Sequence, residues 1–428
     1  MNDRPTRRLV IVVRADPVIC GHSGEARNLA EVALQRGFDD VRIVTWPIAV
    51  LQAAGLPLKP LDAVLPYSAG ITVERPDPVG DYKVPDARFY CGLVGRLVEL
   101  FTDGVPTVAM SLYLTPHATA VSDALAVARA SGLPTDVTTI AEAVGSDITN
   151  VVRTSVEEQL FGAAAQVFTT YLGHDHCVAV SEYTKQLIVE AAEAIDARHG
   201  TTFAERCRDR VGISYPAIDT RQFTDIDRSR LDEVLARRGL HDDGYVLFLS
   251  RVTKAKGVDD LIDGYAASHA RDLVPLVIAG TGPEAAALHA RAAATSCADR
   301  ILFFDDVDDD EKTFLMAASA AYVLPSKPRP EFVETFGIAL VEAMLAGGGP
   351  VITTVTGGIP EAVGQHARFV PVGDPMSIAQ ALDDAVLRTT PVERATESAA
   401  ARDFAIQFDR AHVFDRLFAR LDDDVAAA

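Results

Sequence analysis

Residues 331–350 read EFVETFGIALVEAMLAGGGP. From Phe336 to Gly349 every residue is apolar or glycine except Glu342, and Glu334 stands eight positions earlier. The run is long enough for a helix and oily enough for that helix to be buried, with Thr335 as its expected start. Short β-branched runs flank it, AYVLP (321–325) before and VITT (351–354) after. Strand, helix and strand in that order make a parallel crossover unit. An ionised carboxylate inside such a helix is costly unless something pairs with it.

The alternation continues in both directions. YVLFLS (245–250), LVPLVIAG (273–280), ILFF (301–304) and RFVPV (368–372) read as further strands, with helices expected near Val258, Pro283, Asp310, Pro360 and Pro375. Ahead of a polar, charged stretch (219–243) lies an earlier set: LVIVV (9–13), VRIVTW (41–46), PTVAMSLY (106–113), HCVAV (176–180) and RVGISYP (210–216). The first of these is followed by the loop RADPVICGHSG and the helical segment EARNLAEVALQRG. Residues 60–90, rich in proline and aspartate, read as an irregular insertion, and DFAIQFDRAHVFDRLFARL (403–421) has helical spacing. The fold class is α/β: two doubly wound, Rossmann-like parallel-sheet domains, joined near residue 217 and facing a central cleft at the strand carboxyl ends.

Composition fits this. A chain of 428 residues with 48% hydrophobic and 23% charged residues implies two or three soluble domains. Its 60 acids against 40 bases give a net charge of −20. That field disfavours nucleic acid and anionic membrane surfaces as partners, but not a small anion held by a few local bases. The five cysteines (Cys20, Cys91, Cys177, Cys207, Cys297) have neither metal nor redox spacing. With no signal-peptide core and no bilayer-length apolar run, they imply a cytoplasmic protein without integral membrane contact.

Three local features bear on chemistry. SRVTKAKG (250–257) puts Arg251, Lys254 and Lys256 at a strand's carboxyl end, where they would clamp a diphosphate or form a solvated basic turn. The turn Thr335-Phe336-Gly337-Ile338 offers unpaired N–H groups and the positive end of a helix dipole to an anion. Glu334 reads as a helix cap or a ligand group, and Glu342 as half of a buried ion pair or a ligand group.

Together, ETFGIALVEAM and GGIPEAV (357–363) resemble the retaining GT-B glycosyltransferases of family 4, whose hallmark is two glutamates separated by seven residues. LSRVTKAKGVDDLIDGY, LVIAGTGP, AAYVLPS and CVAVSEYTKQLI add matches in the appropriate order. The resemblance is dense over 176–373 and loose over the first 120 residues. It implies an acceptor-side domain of residues 1–216, with the helix of 403–428 packing back on it, and a nucleotide-sugar domain of 217–402. It implies that Glu342 holds the ribose hydroxyls, in charge-assisted bonds of ~1.5–3 kcal/mol each. Glu334 would hold the transferred sugar, while Arg251 and Lys256 stabilise the departing diphosphate with the N–H groups of Gly337 and Ile338. Phe336, Gly280 and Gly282 would complete the donor site.

In the first domain the resemblance implies that the loop GHSG, with Gly21 and Gly24, closes over the donor. It also implies that His117, in LYLTPHATA, meets the sugar. A tight turn and a core histidine are the plain alternatives for these two. Neither a metal nor a cofactor is implied beyond the nucleotide-sugar donor, by default a UDP-sugar from family frequency. The acceptor would be a soluble small molecule or sugar, lined by 66–90.

The sequence departs from the family in AGGGP (346–350), in Asp305 where glycine is usual beside the base, and in YPAID (215–219) at the hinge. A competing expectation is an NAD(P)-dependent oxidoreductase. Gly280, Gly282 and Ala285 form G-x-G-x-x-A, and the next strand ends in Asp305. A sugar-nucleotide epimerase is a third.

Overall fold

The computed structural model describes residues 6–80, 85–330 and 332–427. Thirteen strands among these form two sheets. In the first, β1 (Arg8–Val12), β2 (Asp40–Val44), β3 (Ile71–Glu74), β4 (Thr107–Leu112), β5 (Val137–Ala143), β6 (His176–Ala179) and β7 (Val211–Ile213) lie in the order β3-β2-β1-β4-β5-β6-β7. In the second, β8 (Val246–Leu249), β9 (Leu276–Ala279), β10 (Ile301–Phe304), β11 (Ala321–Leu324), β12 (Val351–Thr354) and β13 (Ala367–Val370) lie in the order β10-β9-β8-β11-β12-β13. Every pairing is parallel. The central strands are buried along their length, RLVIV in β1 and LVIA in β9 for example, as helices on both faces require.

Both orders reverse once, at β1 between β2 and β4 and at β8 between β9 and β11. Loops leaving the two strands on either side of such a reversal diverge, opening a crevice at the carboxyl ends. The chain thereby sends residues 13–20 and 113–118 to the crevice of the first sheet. Residues 250–257 and 325–337 go to that of the second.

The compact units are the chain up to Ile218 together with the residues from Arg410, and Asp219–Asp409. The final crossing falls at Arg410 rather than 403 because helix Pro391–Ala405 belongs to the second unit, where its Arg402 donates to Ala346 O at 3.1 Å. The last helix, Arg410–Ala427, places Phe414 and Phe418 edge-on against Phe38 at 6.2 and 5.6 Å, completing the first core.

Four local expectations are corrected. Residues 60–90 contain edge strand β3, and β5 is a strand that the apolar runs do not mark. GHSG is not a loop, since the helix runs Gly21–Gln35 and takes in both glycines. The helix expected from Thr335 begins at Ile338, because Gly337 adopts φ 109°, a left-handed conformation that ends the preceding turn. Its other end is plain: Gly347, at φ 76°, caps the helix after Ala346.

Candidate functional site

In the second unit, the crevice is built by clamping the loop after β8 to the chain after β11. Lys327 N–H donates to Ala255 O at 2.8 Å, and the Lys327 ammonium pairs with Asp259 at 2.8 Å. Lys256 is thereby buried, with its ammonium bonded to the Glu334 carboxylate and 5.4 Å from the Phe332 ring. Glu334 is fixed in turn by its backbone, whose carbonyl accepts from Gly358 N–H at 2.9 Å. The GGIP segment is thus packed under the turn. Arg251 and Lys254 lie exposed on the same loop.

Phe336 is core: its ring meets Phe408 edge-on at 5.1 Å, so only its backbone is open to a ligand. Ile338 opens the helix, half-buried. Glu342 is half-buried rather than sunk in apolar surroundings, and Lys312, from helix Asp309–Ala317, donates to it at 2.7 Å. Of the two readings of this acid, ion pair or ligand group, the chain by itself shows the ion pair, with Lys312. The two glutamates nonetheless share a neighbour. The buried Tyr322 phenol keeps its proton well above the usual tyrosine range, through burial first and then the charges of Glu342 and Glu334.

Gly280 and Gly282 lie against the start of the basic loop, in a pocket with Val252, Thr281, Phe303 and Asp305. A Cβ on Gly280 would stand 2.1 Å from Ser250 O, and one on Gly282 2.1 Å from Val252 O. Packing of two loops thus requires both glycines, without any dinucleotide.

The first unit carries its own cluster at the β1/β4 reversal. His117, in the turn Leu114–Ala118, is 1% exposed, and neither ring nitrogen has a hydrogen-bond partner among the described residues. It is no helix cap. Its ring lies 4.5 Å from Trp46 and 5.6 Å from Tyr113, and burial, with Arg14 and His22 nearby, pushes its pKa well below the usual value. A neutral, buried imidazole calls for a polar partner, and the described residues supply none. Gly24 has open space where a side chain would stand.

Sequence reasoning missed three buried acids beside it. Asp147 accepts the N–H groups of Leu114 (3.1 Å) and Gly145 (3.0 Å), tying the turn after β4 to the end of β5. Burial raises its pKa to about 6 against those bonds. Glu142, at the end of β5, is fully buried and adjoins Glu25. Burial first, then Glu25 and Asp147, hold its proton well above the usual carboxylate range, and neither of its oxygens has a hydrogen-bond partner among the described residues. Glu25 also accepts from Ala217 N–H at 3.4 Å, in the YPAID segment. The signal that could have found Glu142 is the one used for Glu342, a lone acid in a buried run. Among the described residues no three His, Cys, Asp or Glu side chains could together hold a metal ion, and no helix is long and apolar enough to cross a membrane.

Residues 233–402 match the family described as Glycosyl transferases group 1. D-inositol 3-phosphate glycosyltransferase of Stackebrandtia nassauensis is 30% identical over 275 residues, 60% of this chain and 58% of that protein. N-acetyl-alpha-D-glucosaminyl L-malate synthase of Bacillus anthracis is 28% identical over 56% of this chain and 65% of its own length. The chain thus spans about 58% and 65% of these relatives. Among solved structures, Anabaena HepE in complex with UDP and glucose superposes with a TM-score of 0.69 at 17% identity, covering 97% of this chain and 99% of that one. Sucrose-phosphate synthase of Thermosynechococcus elongatus gives 0.66 at 17% identity, over 99% of this chain and 100% of its own. At such identity the structures speak to the fold: two Rossmann-like domains of the GT-B kind.

Proposed function

We propose that this chain, a GT-B protein of the glycosyltransferase family 4 kind, moves a hexosyl group from a nucleotide-diphosphate sugar to an acceptor hydroxyl with retention at the anomeric carbon. The observation that carries the proposal is the buried Lys256–Glu334 pair at the β8/β11 reversal, inside the segment matched to the family. A lysine and a glutamate already facing each other can exchange partners when donor arrives. The ammonium turns to a phosphate oxygen and the carboxylate to sugar hydroxyls, each replacing one charge-assisted bond with another.

In the reaction the bond from the anomeric carbon to the diphosphate oxygen breaks, and its electron pair leaves with the diphosphate. The acceptor oxygen bonds to the same carbon on the same face, and its proton passes to the departing diphosphate. Lys256, Arg251 and the N–H groups of Gly337 and Ile338, which donate to no backbone carbonyl among the described residues, supply the positive potential for that leaving group. This is the work a divalent metal does in other transferases, so a metal-independent reaction is part of the proposal. Glu342 holds ribose hydroxyls by leaving Lys312 or sharing it. His117, with both nitrogens unsatisfied, orients the sugar from the first unit, and the acceptor is a soluble small molecule or sugar.

The experiment is to supply nucleotide sugars with and without candidate acceptors and to follow nucleotide release, with NMR of the product's anomeric centre. Release that depends on an acceptor and gives a retained linkage supports the proposal. Donor conversion with no acceptor would make the chain an epimerase instead.

A further inference from the structure

The pocket beside the basic loop has a volume of about 140 Å³, close to the ~150 Å³ of a cavity that takes one benzene ring. It opens at the carboxyl ends of β8, β9 and β10, and its walls are of two kinds. One is bare backbone, where Gly280 and Gly282 pass against Ser250 and Val252. The other is a flat ring surface, His289 stacked on Phe303 with centroids 3.8 Å apart and planes 26° from parallel. Bare backbone and a planar aromatic wall suit a flat heterocycle, which packs by its face.

Two adjacent aspartates follow β10, and they have different employment. Asp306 is engaged by Arg238 at 2.7 Å. Asp305 lines the pocket, exposed, with no hydrogen-bond or ion-pair partner among the described residues. A carboxylate only accepts hydrogen bonds, and its two oxygens are spaced for two parallel donors. Guanine presents such a pair on one edge, N1–H beside the N2 amino group. Uracil has a single N3–H between two carbonyl oxygens. Adenine and cytosine set an amino group beside an unprotonated ring nitrogen. In each of those three, a lone pair would face the second carboxylate oxygen.

We propose that this pocket receives the base of the donor and that Asp305 selects guanine, so that the substrate is a GDP-sugar rather than the UDP-sugar expected from family frequency. The inference rests on the nucleotide-sugar reading above. It uses the residues of the dinucleotide fingerprint, but assigns the acid to a base edge instead of a ribose.

The test is isothermal titration calorimetry of the full chain with GDP, UDP, ADP, XDP and NAD, repeated on Asp305→Asn. Asp305 is exposed, so the variant should fold, which an unchanged melting temperature verifies. Wild type should bind GDP at least about tenfold more tightly than UDP or ADP, the discrimination expected of one or two bonds to a charged group. In Asp305→Asn the carboxamide accepts from N1–H and donates to the C2 carbonyl of xanthine. GDP should weaken by about tenfold and XDP should overtake it, while UDP moves by less than about threefold. UDP or ADP bound as tightly as GDP by wild type, or GDP indifferent to Asp305→Asn, overturns the guanine assignment and leaves the transferase reading standing. Binding of NAD with none of the diphosphates, or of no nucleotide at all, overturns both.

Discussion

In the second unit Glu334 meets Lys256 and Glu342 meets Lys312; in the first, Glu142 adjoins Glu25 and meets no base among the described residues. The sheets are wound alike, but these acids differ in what they meet. A carboxylate beside an ammonium can keep its charge while partly buried, ready to exchange one charge-assisted bond for another. A carboxyl group beside a second acid, sealed from water, keeps its proton instead and becomes a donor. One crevice is therefore a set of charges that can be re-paired, and the other has a neutral patch, with Glu142 and His117 both uncharged, beside the Asp16–Arg27 pair.

The sharpest way to break this contrast is at Lys256. If its charge serves the leaving group, Lys256→Ala should lower kcat by about 100-fold or more and weaken nucleotide diphosphate binding by less than about tenfold. Steady-state rates beside calorimetry decide it, and an unchanged kcat would remove Lys256 from the chemistry.

Next in size is a pH effect from the first unit. The folded chain retains protons on Glu142 and Asp147 that the unfolded chain releases above ordinary carboxylate values. Stability from these groups is therefore complete in acid and is lost as pH rises. For Asp147 the loss runs between 3.8 and about 6, and for Glu142 it extends further up. Acids with lowered values, such as Glu74 and Glu311, act in the opposite direction but only in stronger acid. The buried His117 and His174, with lowered values, gain stability as pH rises over this range and oppose the two acids, so the readout is a difference: in urea unfolding from pH 5 to pH 8, wild type should lose about 1–3 kcal/mol relative to Glu142→Gln. Parallel pH profiles for the two proteins would mean that Glu142 ionises without penalty.

The smallest effect sharpens the lysine side. Lys312→Met should cost about 1–2 kcal/mol by leaving Glu342 unpaired, discounted because both side chains are partly exposed. Adding Glu342→Leu should restore most of it. A neutral single variant would show that water, not Lys312, satisfies the acid.

These contrasts also explain what the sequence conveyed. The two parallel sheets were legible because doubly covered strands need unbroken β-branched runs, and LVIVV or YVLFLS has little else to be. Strand β5 escaped because Thr138, Thr139 and Glu142 interrupt its apolar pattern, and β3 because an edge strand with Glu74 tied to Arg96 can be short and polar. Lys256 stood out beside a strand end and Glu334 at a helix start, but nothing in the sequence paired the one with the other. Lys312 was not, since it lies thirty residues before Glu342 and joins it only through helix packing. The glycines of GHSG misled because glycine in a first helical turn looks like a loop until the flanking backbone is known.

The helix Arg410–Ala427 has a consequence for biosynthesis. Its phenylalanines close the aromatic cluster around Phe38, yet a ribosome makes them only after the whole second sheet. The first sheet must wait, with that oily surface bare, for a segment made only after the second sheet. During translation the nascent first sheet is the part of the chain most in need of a chaperone.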